Sequence, residues 1–173
     1  MGTIDPGVIV MTKYGAGTVA LMFAVFVFGV LLGGAVFSNA IVMPAFLGDL
    51  PASAIVVNGP FALNEAPFWM LIHPIAIISL VASLALNWGS SRRRKLIAIT
   101  LGAYVMIIAI TAIYFVPELL AFGDSARSNI PASEWAVRAS RWRTLSWIRG
   151  SVMFVLYLPL LMALVDSGGS ERS

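Results

Sequence analysis

The chain contains no cysteine and a single histidine. The first absence excludes disulfides, thiolate zinc sites, iron–sulfur ligation and cysteine nucleophiles. The second makes a protein-ligated transition metal hard to build. No Ser/His/Asp order, phosphate-binding loop or dinucleotide fingerprint is present. Charge is scarce too. Asp, Glu, Lys and Arg make up 11% of the 173 residues, against about 25% in a soluble domain. Hydrophobic residues fill 60% of the chain. Such a composition cannot cover itself with a water-compatible surface, so the class it implies is a polytopic membrane protein of one domain. The net charge is only +3, and the basic residues sit beside apolar runs, where they set topology. Nucleic acid is therefore not an expected partner; membrane lipid is.

Four apolar runs reach the roughly 20 residues that a helix needs to cross a bilayer. They cover about 16–43, about 68–86, about 96–121 and about 146–164, the first ending before Pro44. An amphipathic interfacial helix over about 132–145 precedes the fourth. Backbone polar groups in hydrocarbon must be satisfied within their own segment, so these runs are helices. The first is too long for the apolar region of a cleaved leader and is read as retained. The fold class expected is all-α, a four-transmembrane-helix antiparallel bundle with both termini cytoplasmic. Orientation rests on the short connection Ser91-Arg92-Arg93-Arg94-Lys95, whose four positive charges belong inside. Lys13 agrees, and the stretch Leu47–Pro67 has no Lys or Arg, as expected outside. The Phe122–Leu145 loop departs from the rule, with Arg127, Arg138, Arg141 and Arg143 on the external side. These arginines are then either interfacial or part of a site. The small basic loop and the lack of eukaryotic sorting signals suggest a bacterial inner membrane.

Trp135, Arg138, Trp142 and Arg149 fall on one helical stripe. It reads either as a headgroup-level belt or as a stripe whose lower part faces inward and helps line a site. Gly29 and Gly33 form a GxxxG, and Gly34 with Ser38 repeats the small spacing, which lets another helix approach closely.

Depth is the more informative pattern. At 1.5 Å per residue, His73 stands roughly 22 Å above Trp88, and Arg149 roughly 25 Å above Asp166. Ser38, Asn39, Tyr114 and Glu118 end the first and third runs, while Asn64 and Glu65 precede the second. The inner half holds little that is polar beyond Ser83 and Thr100. All four helices thus deliver a polar group near one level. Charges at that depth cost a few kcal/mol unless paired or hydrated, so the expectation is an outward-opening pocket shared by four helices. A Glu118–Arg149 ion pair is expected, with Tyr114 one turn before Glu118 as a hydrogen-bond partner. His73 and Glu118 are the proton acceptors in this set, and Arg149 is suited to hold an oxyanion. Asn39, Asn64, Tyr114, Trp142 and Ser146 are the expected substrate contacts. A metal held by His73, Glu65 and Glu118 has little behind it, and neither metal nor cofactor is expected. Structural alternatives exist for each charged residue: His73 bonding a backbone carbonyl near Pro74, Glu118 reaching up into water, Arg149 doing the same.

Several short stretches resemble one family. Phe37-Ser38-Asn39-Ala40-Ile41-Val42-Met43-Pro44-Ala45 is similar to the first-helix ending of the DUF1772 or anthrone-oxygenase-like membrane proteins. Asn64 to Phe68, Val116-Pro117 and Trp142-Arg143-Thr144-Leu145-Ser146-Trp147-Ile148-Arg149 resemble that family's later motifs. The resemblance spans nearly the whole chain. Glu118-Leu119 stands where many members carry Asn, and Ser146 where they often carry His or Asn. The resemblance implies a four-span fold and, from some relatives, cofactor-independent oxidation of anthrones to anthraquinones. His73 or Glu118 would then deprotonate an aromatic or lipid-like substrate, and Arg149 would hold the oxyanion. DUF4149-like four-span proteins share a comparable first-helix ending.

Three functions therefore stand side by side. The first is a DUF1772-like enzyme, which predicts a closed, ligand-sized cavity beside His73 and Arg149. A non-enzymatic subunit, packing by its GxxxG face on a larger complex or on a second copy, predicts no cavity and His73 bonded to backbone. A small carrier predicts polar groups continuing into the inner half.

Overall fold

The computed structural model describes residues 15–166, so Lys13 and the Gly168-Gly169 tail lie outside the described residues. Four helices carry the chain back and forth: α1 (Ala16–Leu47), α2 (Ala66–Leu86), α3 (Ser91–Gly123) and α4 (Ala132–Val165). Each is long and apolar enough to cross a membrane, and no strand occurs among the described residues. The protein is an all-α integral membrane bundle. α1 packs on α2 and α4, α3 packs on α4 and α2, and the helices form a ring in chain order. Large apolar side chains such as Phe23, Phe26, Met106, Phe154 and Val155 point outward, where lipid replaces water as their neighbour.

The helices outrun the apolar runs that announced them. α1 does not stop before Pro44 but continues to Leu47. A proline removes one backbone N–H and its ring crowds the carbonyl four residues back. α1 meets this with one widened π turn, Ser38–Val42, in which the Met43 N–H bonds back to the Ser38 carbonyl. α3 does the same before Pro117: its π turn is Thr111–Phe115, and the Val116 N–H bonds to the Thr111 carbonyl. Arg92 to Lys95, read as part of a connection, form the first turn of α3. The interfacial segment and the fourth span are one unbroken helix of 34 residues.

Three of the four helices have 32 to 34 residues and α2 has 21. At 1.5 Å per residue the long ones exceed a hydrocarbon core of about 30 Å by roughly 20 Å. The buried apolar residues divide accordingly. A lower core of Leu21, Phe28, Leu31, Leu80, Ile97 and Leu160 fills the bundle. An upper core of Phe46, Leu50, Phe115, Phe122, Trp135 and Trp142 fills the projecting part. The stretch between α1 and α2 supplies Leu50 and Ala54 to that upper core, and the Asn58 amide donates to the Gly123 carbonyl at the end of α3. The two π turns lie where one core gives way to the other.

The opposite end is tied by polar bonds. The Asn87 amide donates to the carbonyls of Gly17 and Ser83, and Arg93 donates to Asn87 Oδ1 at 2.8 Å. Arg92 pairs with Asp166 at 3.1 Å. A Cβ on Gly17 would come within 2.9 Å of both the Leu86 carbonyl and the Asn87 side chain, so a larger residue would push α1 off this corner.

Candidate functional site

The polar residues collect at the junction of the two cores, in three separate groups rather than one chamber. On α1 and α2, the Ser38 hydroxyl donates to Glu65 Oε2 at 2.8 Å, and the Trp69 indole N–H donates to the same oxygen at 3.4 Å. Gly34 makes room here, since a Cβ on it would lie 2.5 Å from the Phe68 ring. Asn39 is buried and donates to the Ala35 carbonyl of its own helix at 2.9 Å. Asn64 accepts from the Ala66 N–H at 3.0 Å, which satisfies one of the free donors at the start of α2. The side-chain bonds of Asn39 and Asn64 are therefore local.

The second group joins α2 to α3. His73 Nδ1 lies 2.6 Å from the Tyr104 hydroxyl, and the His73 ring stacks on Trp69 at a centroid distance of 5.5 Å. The heights match: His73 is about 20 Å above the end of α2 at Leu86, and Tyr104 about 20 Å above the start of α3 at Ser91. His73 is thus bonded to a side chain, not to the backbone. Tyr104 was not singled out from the sequence. The available signal was its hydroxyl in mid-span, at the height of the sole histidine.

The third group joins α3 to α4 and is the most elaborate. Arg149 Nη1 donates to Thr111 Oγ1 at 3.0 Å, and Nη2 donates to Ser146 Oγ at 3.2 Å. The guanidinium carbon sits 4.0 Å from the centroid of the Phe115 ring, a cation–π contact. Thr111 opens the π turn, and its hydroxyl donates a hydrogen bond to the Ile107 carbonyl at 2.8 Å. Its oxygen is thereby left to accept from Arg149. The Trp142 indole N–H donates to the Phe115 carbonyl at 3.1 Å and fixes the far end of the same turn. Trp142 and Ser146 are both buried. The Trp–Arg stripe of α4 therefore faces inward, onto α3.

The expected Glu118–Arg149 pair does not form. Glu118 is bound bidentately by Arg138, with Nη2 2.9 Å and 3.0 Å from its two oxygens and Nε at 3.2 Å. Height is the reason. Glu118 stands about 40 Å up α3 from Ser91; Arg138 stands about 40 Å up α4 from Val165, and Arg149 only about 24 Å. Arg138 also lies over the Trp135 ring at 4.5 Å. Tyr114 makes no hydrogen bond to Glu118; its ring contact is with Phe115.

Beside Arg149 the surface between α3 and α4 opens into a groove of about 440 Å³. Ile107, Ile110, Leu145 and Val152 give it an apolar wall, and Tyr114, Arg141 and Arg149 supply its polar groups. No carboxylate lines it. His73 and Glu118 are not in its walls, so the residues named from sequence are split between groove and interior. A second concavity, of about 590 Å³, is lined by α4 residues alone and is a dent in the lipid-facing surface. No group of three His, Asp or Glu able to hold a metal occurs among the described residues. Gly29 of the GxxxG faces Tyr157 of α4, so half of that motif is spent inside the bundle.

Arg149 forms no ion pair among the described residues, although its height places it within the membrane. Of its five N–H donors, two are engaged by Thr111 and Ser146. The arrangement is a fixed cation, braced on three sides and open to an apolar groove. No family model, no curated protein and no solved structure matches this chain.

Proposed function

We propose that the α3–α4 groove binds an amphiphile that carries an anionic oxygen and enters sideways from the outer leaflet. One observation carries this reading: Arg149 is a membrane-level cation with donors to spare and no carboxylate in reach. An unpaired arginine within the outer part of the hydrocarbon costs up to about 3 kcal/mol, and an anionic head seated against it would offset that cost. The groove volume lies within the roughly 300–1,000 Å³ typical of small-molecule sites. Arg141, two turns above on α4, adds a second positive charge toward the headgroup level. The end that carries Arg92 to Lys95 is assigned to the cytoplasm, and a bacterial inner membrane suits that assignment.

Oleate is the direct probe, titrated into purified protein in zwitterionic micelles and followed by tryptophan fluorescence. Charge-assisted hydrogen bonds contribute roughly 1.5–3 kcal/mol, so Arg149→Gln is expected to weaken binding roughly 10- to 100-fold. Arg149→Lys should recover part of it. Competition in nanodiscs with and without phosphatidylglycerol separates a free carboxylate from a lipid phosphate as the natural occupant. Equal oleate affinity for the wild type and Arg149→Gln would refute the reading.

A second reading is the cofactor-independent oxygenase implied by the DUF1772 resemblance, with His73, Glu118 and Arg149 as its catalytic groups. In its favour, His73 and Arg149 stand at similar heights, about 20 Å and 24 Å above the ends of α2 and α4. Anthrone turnover that survives His73→Ala and Glu118→Ala together would remove the proposed base.

A further inference from the structure

The Arg149 guanidinium rises well above its own backbone. Arg149 leaves α4 about 24 Å up from Val165, whereas Thr111, which its Nη1 reaches at 3.0 Å, stands about 30 Å up α3 from Ser91. There the guanidinium rests 4.0 Å from the centre of the Phe115 ring. The Tyr114 ring meets the same Phe115 ring edge to face, at a centroid distance of 5.1 Å. Guanidinium and phenol therefore border one aromatic floor, and both line the α3–α4 groove. The Tyr114 hydroxyl has no hydrogen-bond partner among the described residues.

Arg141 lines the same groove from about 36 Å up α4. It is exposed and makes no hydrogen bond or ion pair among the described residues. The gap in height down to the Arg149 guanidinium is about 6 Å, within the reach of an arginine side chain. The nearest carboxylate along these two helices, Glu118, has both oxygens held by Arg138. Glu65, on α2, is engaged by Ser38 and Trp69. One groove thus presents two cations and a free phenol, with no anion to match them.

A carboxylate brings one charge and two oxygens in a plane, enough for a single guanidinium. A phosphomonoester brings nearly two charges at pH 7 and three acceptor oxygens, one for each of the three donor groups. We propose that the occupant of the groove is an amphiphile with a phosphomonoester head, held by Arg149 and Tyr114 and matched in charge by Arg141. This rests on the groove reading and narrows it from any anionic oxygen to a dianionic head. Tyr114 gives its O–H to one phosphate oxygen, and Arg141 swings down onto another. The wall of Ile107, Ile110, Leu145 and Val152 takes the chain. A phosphodiester, with one charge and two free oxygens, leaves Arg141 unmatched.

The experiment compares hexadecyl phosphate with hexadecyl sulfate, titrated into the purified protein in zwitterionic micelles. The two share their chain and three terminal oxygens and differ in charge. At about pH 7.5 the phosphate should bind about tenfold more tightly. That advantage should vanish as pH falls through the second phosphate pKa, about 6, where the head becomes a monoanion. The sulfate is a monoanion throughout, so it corrects for titration of His73, Glu65 or Glu118. Arg141→Gln should erase the advantage, and no described contact of the fold is lost with it. Tyr114→Phe should weaken the phosphate about threefold to tenfold. Displacement by phosphatidic acid in nanodiscs, and not by phosphatidylglycerol, supports a membrane lipid as the source of the head; displacement by the single-chain ester alone supports a soluble one. Equal affinities for phosphate and sulfate, both lost in Arg149→Gln, overturn the dianionic head and leave the groove reading intact. An advantage that survives Arg141→Gln overturns the charge match. Inorganic phosphate that displaces hexadecyl phosphate at equal concentration overturns the need for a chain. If neither ester nor oleate binds, the groove reading falls and this proposal with it.

Discussion

Removing the Glu118–Arg138 pair should loosen the projecting half of the bundle, and a double-mutant cycle measures by how much. The two side chains are 25% and 28% exposed, respectively. Exposed pairs couple by about 0.2–1 kcal/mol; breaking a buried one by removing a single partner costs about 3–5 kcal/mol. The geometry here is bidentate, with Arg138 also resting on Trp135, a contact of about 0.5–1 kcal/mol where exposed. These place the coupling between positions 118 and 138 at about 1–2 kcal/mol. Arg138→Met should cost more than Glu118→Gln, since it also loses the stacking on Trp135. The assay is unfolding in mixed micelles of increasing SDS content, read by circular dichroism for the wild type, both single variants and the double. A parallel cycle on Glu118 and Arg149 is the control. Those residues differ by about 16 Å in height and share no partner, so their effects should add within about 0.5 kcal/mol. A coupling between 118 and 149 as large as that between 118 and 138 would refute the helix register on which the site is built.

Other perturbations follow from the same contacts. Gly34→Ala places a methyl against Phe68 and should destabilise by about 1–3 kcal/mol; Phe68→Leu in the same chain should restore most of the loss in the SDS assay. Asn87→Ala removes the bonds to Gly17, Ser83 and Arg93 and should cost about 1–3 kcal/mol, with faster amide exchange at the start of α1. The absence of cysteine makes topology simple to read: an impermeant maleimide applied to intact cells should label Ser128→Cys and spare Ser90→Cys. The reverse pattern would invert the assigned orientation.

Much of this was legible in the chain. Four spans, their antiparallel order and a polar level near one end follow from the position of apolar runs, because lipid leaves the backbone no choice but helix. An inward-facing lower part of the Trp135–Arg149 stripe was one of two readings of the spacing; the burial of Trp135 at its upper end was not. Partnerships were not legible, because they depend on the relative height of two helices whose ends hydropathy does not mark. α3 and α4 run past the hydrocarbon edge as apolar and aromatic helix, and that extra length moves Glu118 up to Arg138 and away from Arg149. The π turns escaped for a related reason. Pro44 looks like a stop, Pro117 lies inside the third run, and only the packing of the upper core against Phe46 and Phe122 shows why both helices continue past their prolines. Thr111 and Tyr104 read as ordinary members of an apolar run until α4 and α2 bring Arg149 and His73 to them.

The shortness of α2 has a consequence for access. Above Ala66 the bundle has three helical walls, and the fourth is the chain between Leu47 and Pro67, held by Leu50, Ala54 and the Asn58–Gly123 bond. Breaching it exposes a small apolar patch and breaks few hydrogen bonds, whereas parting any two helices would disrupt a whole seam. Hydrogen exchange should therefore be fastest there. Solvent protons would reach Glu65 and Ser38 through this weak panel while α1, α3 and α4 stay where they are.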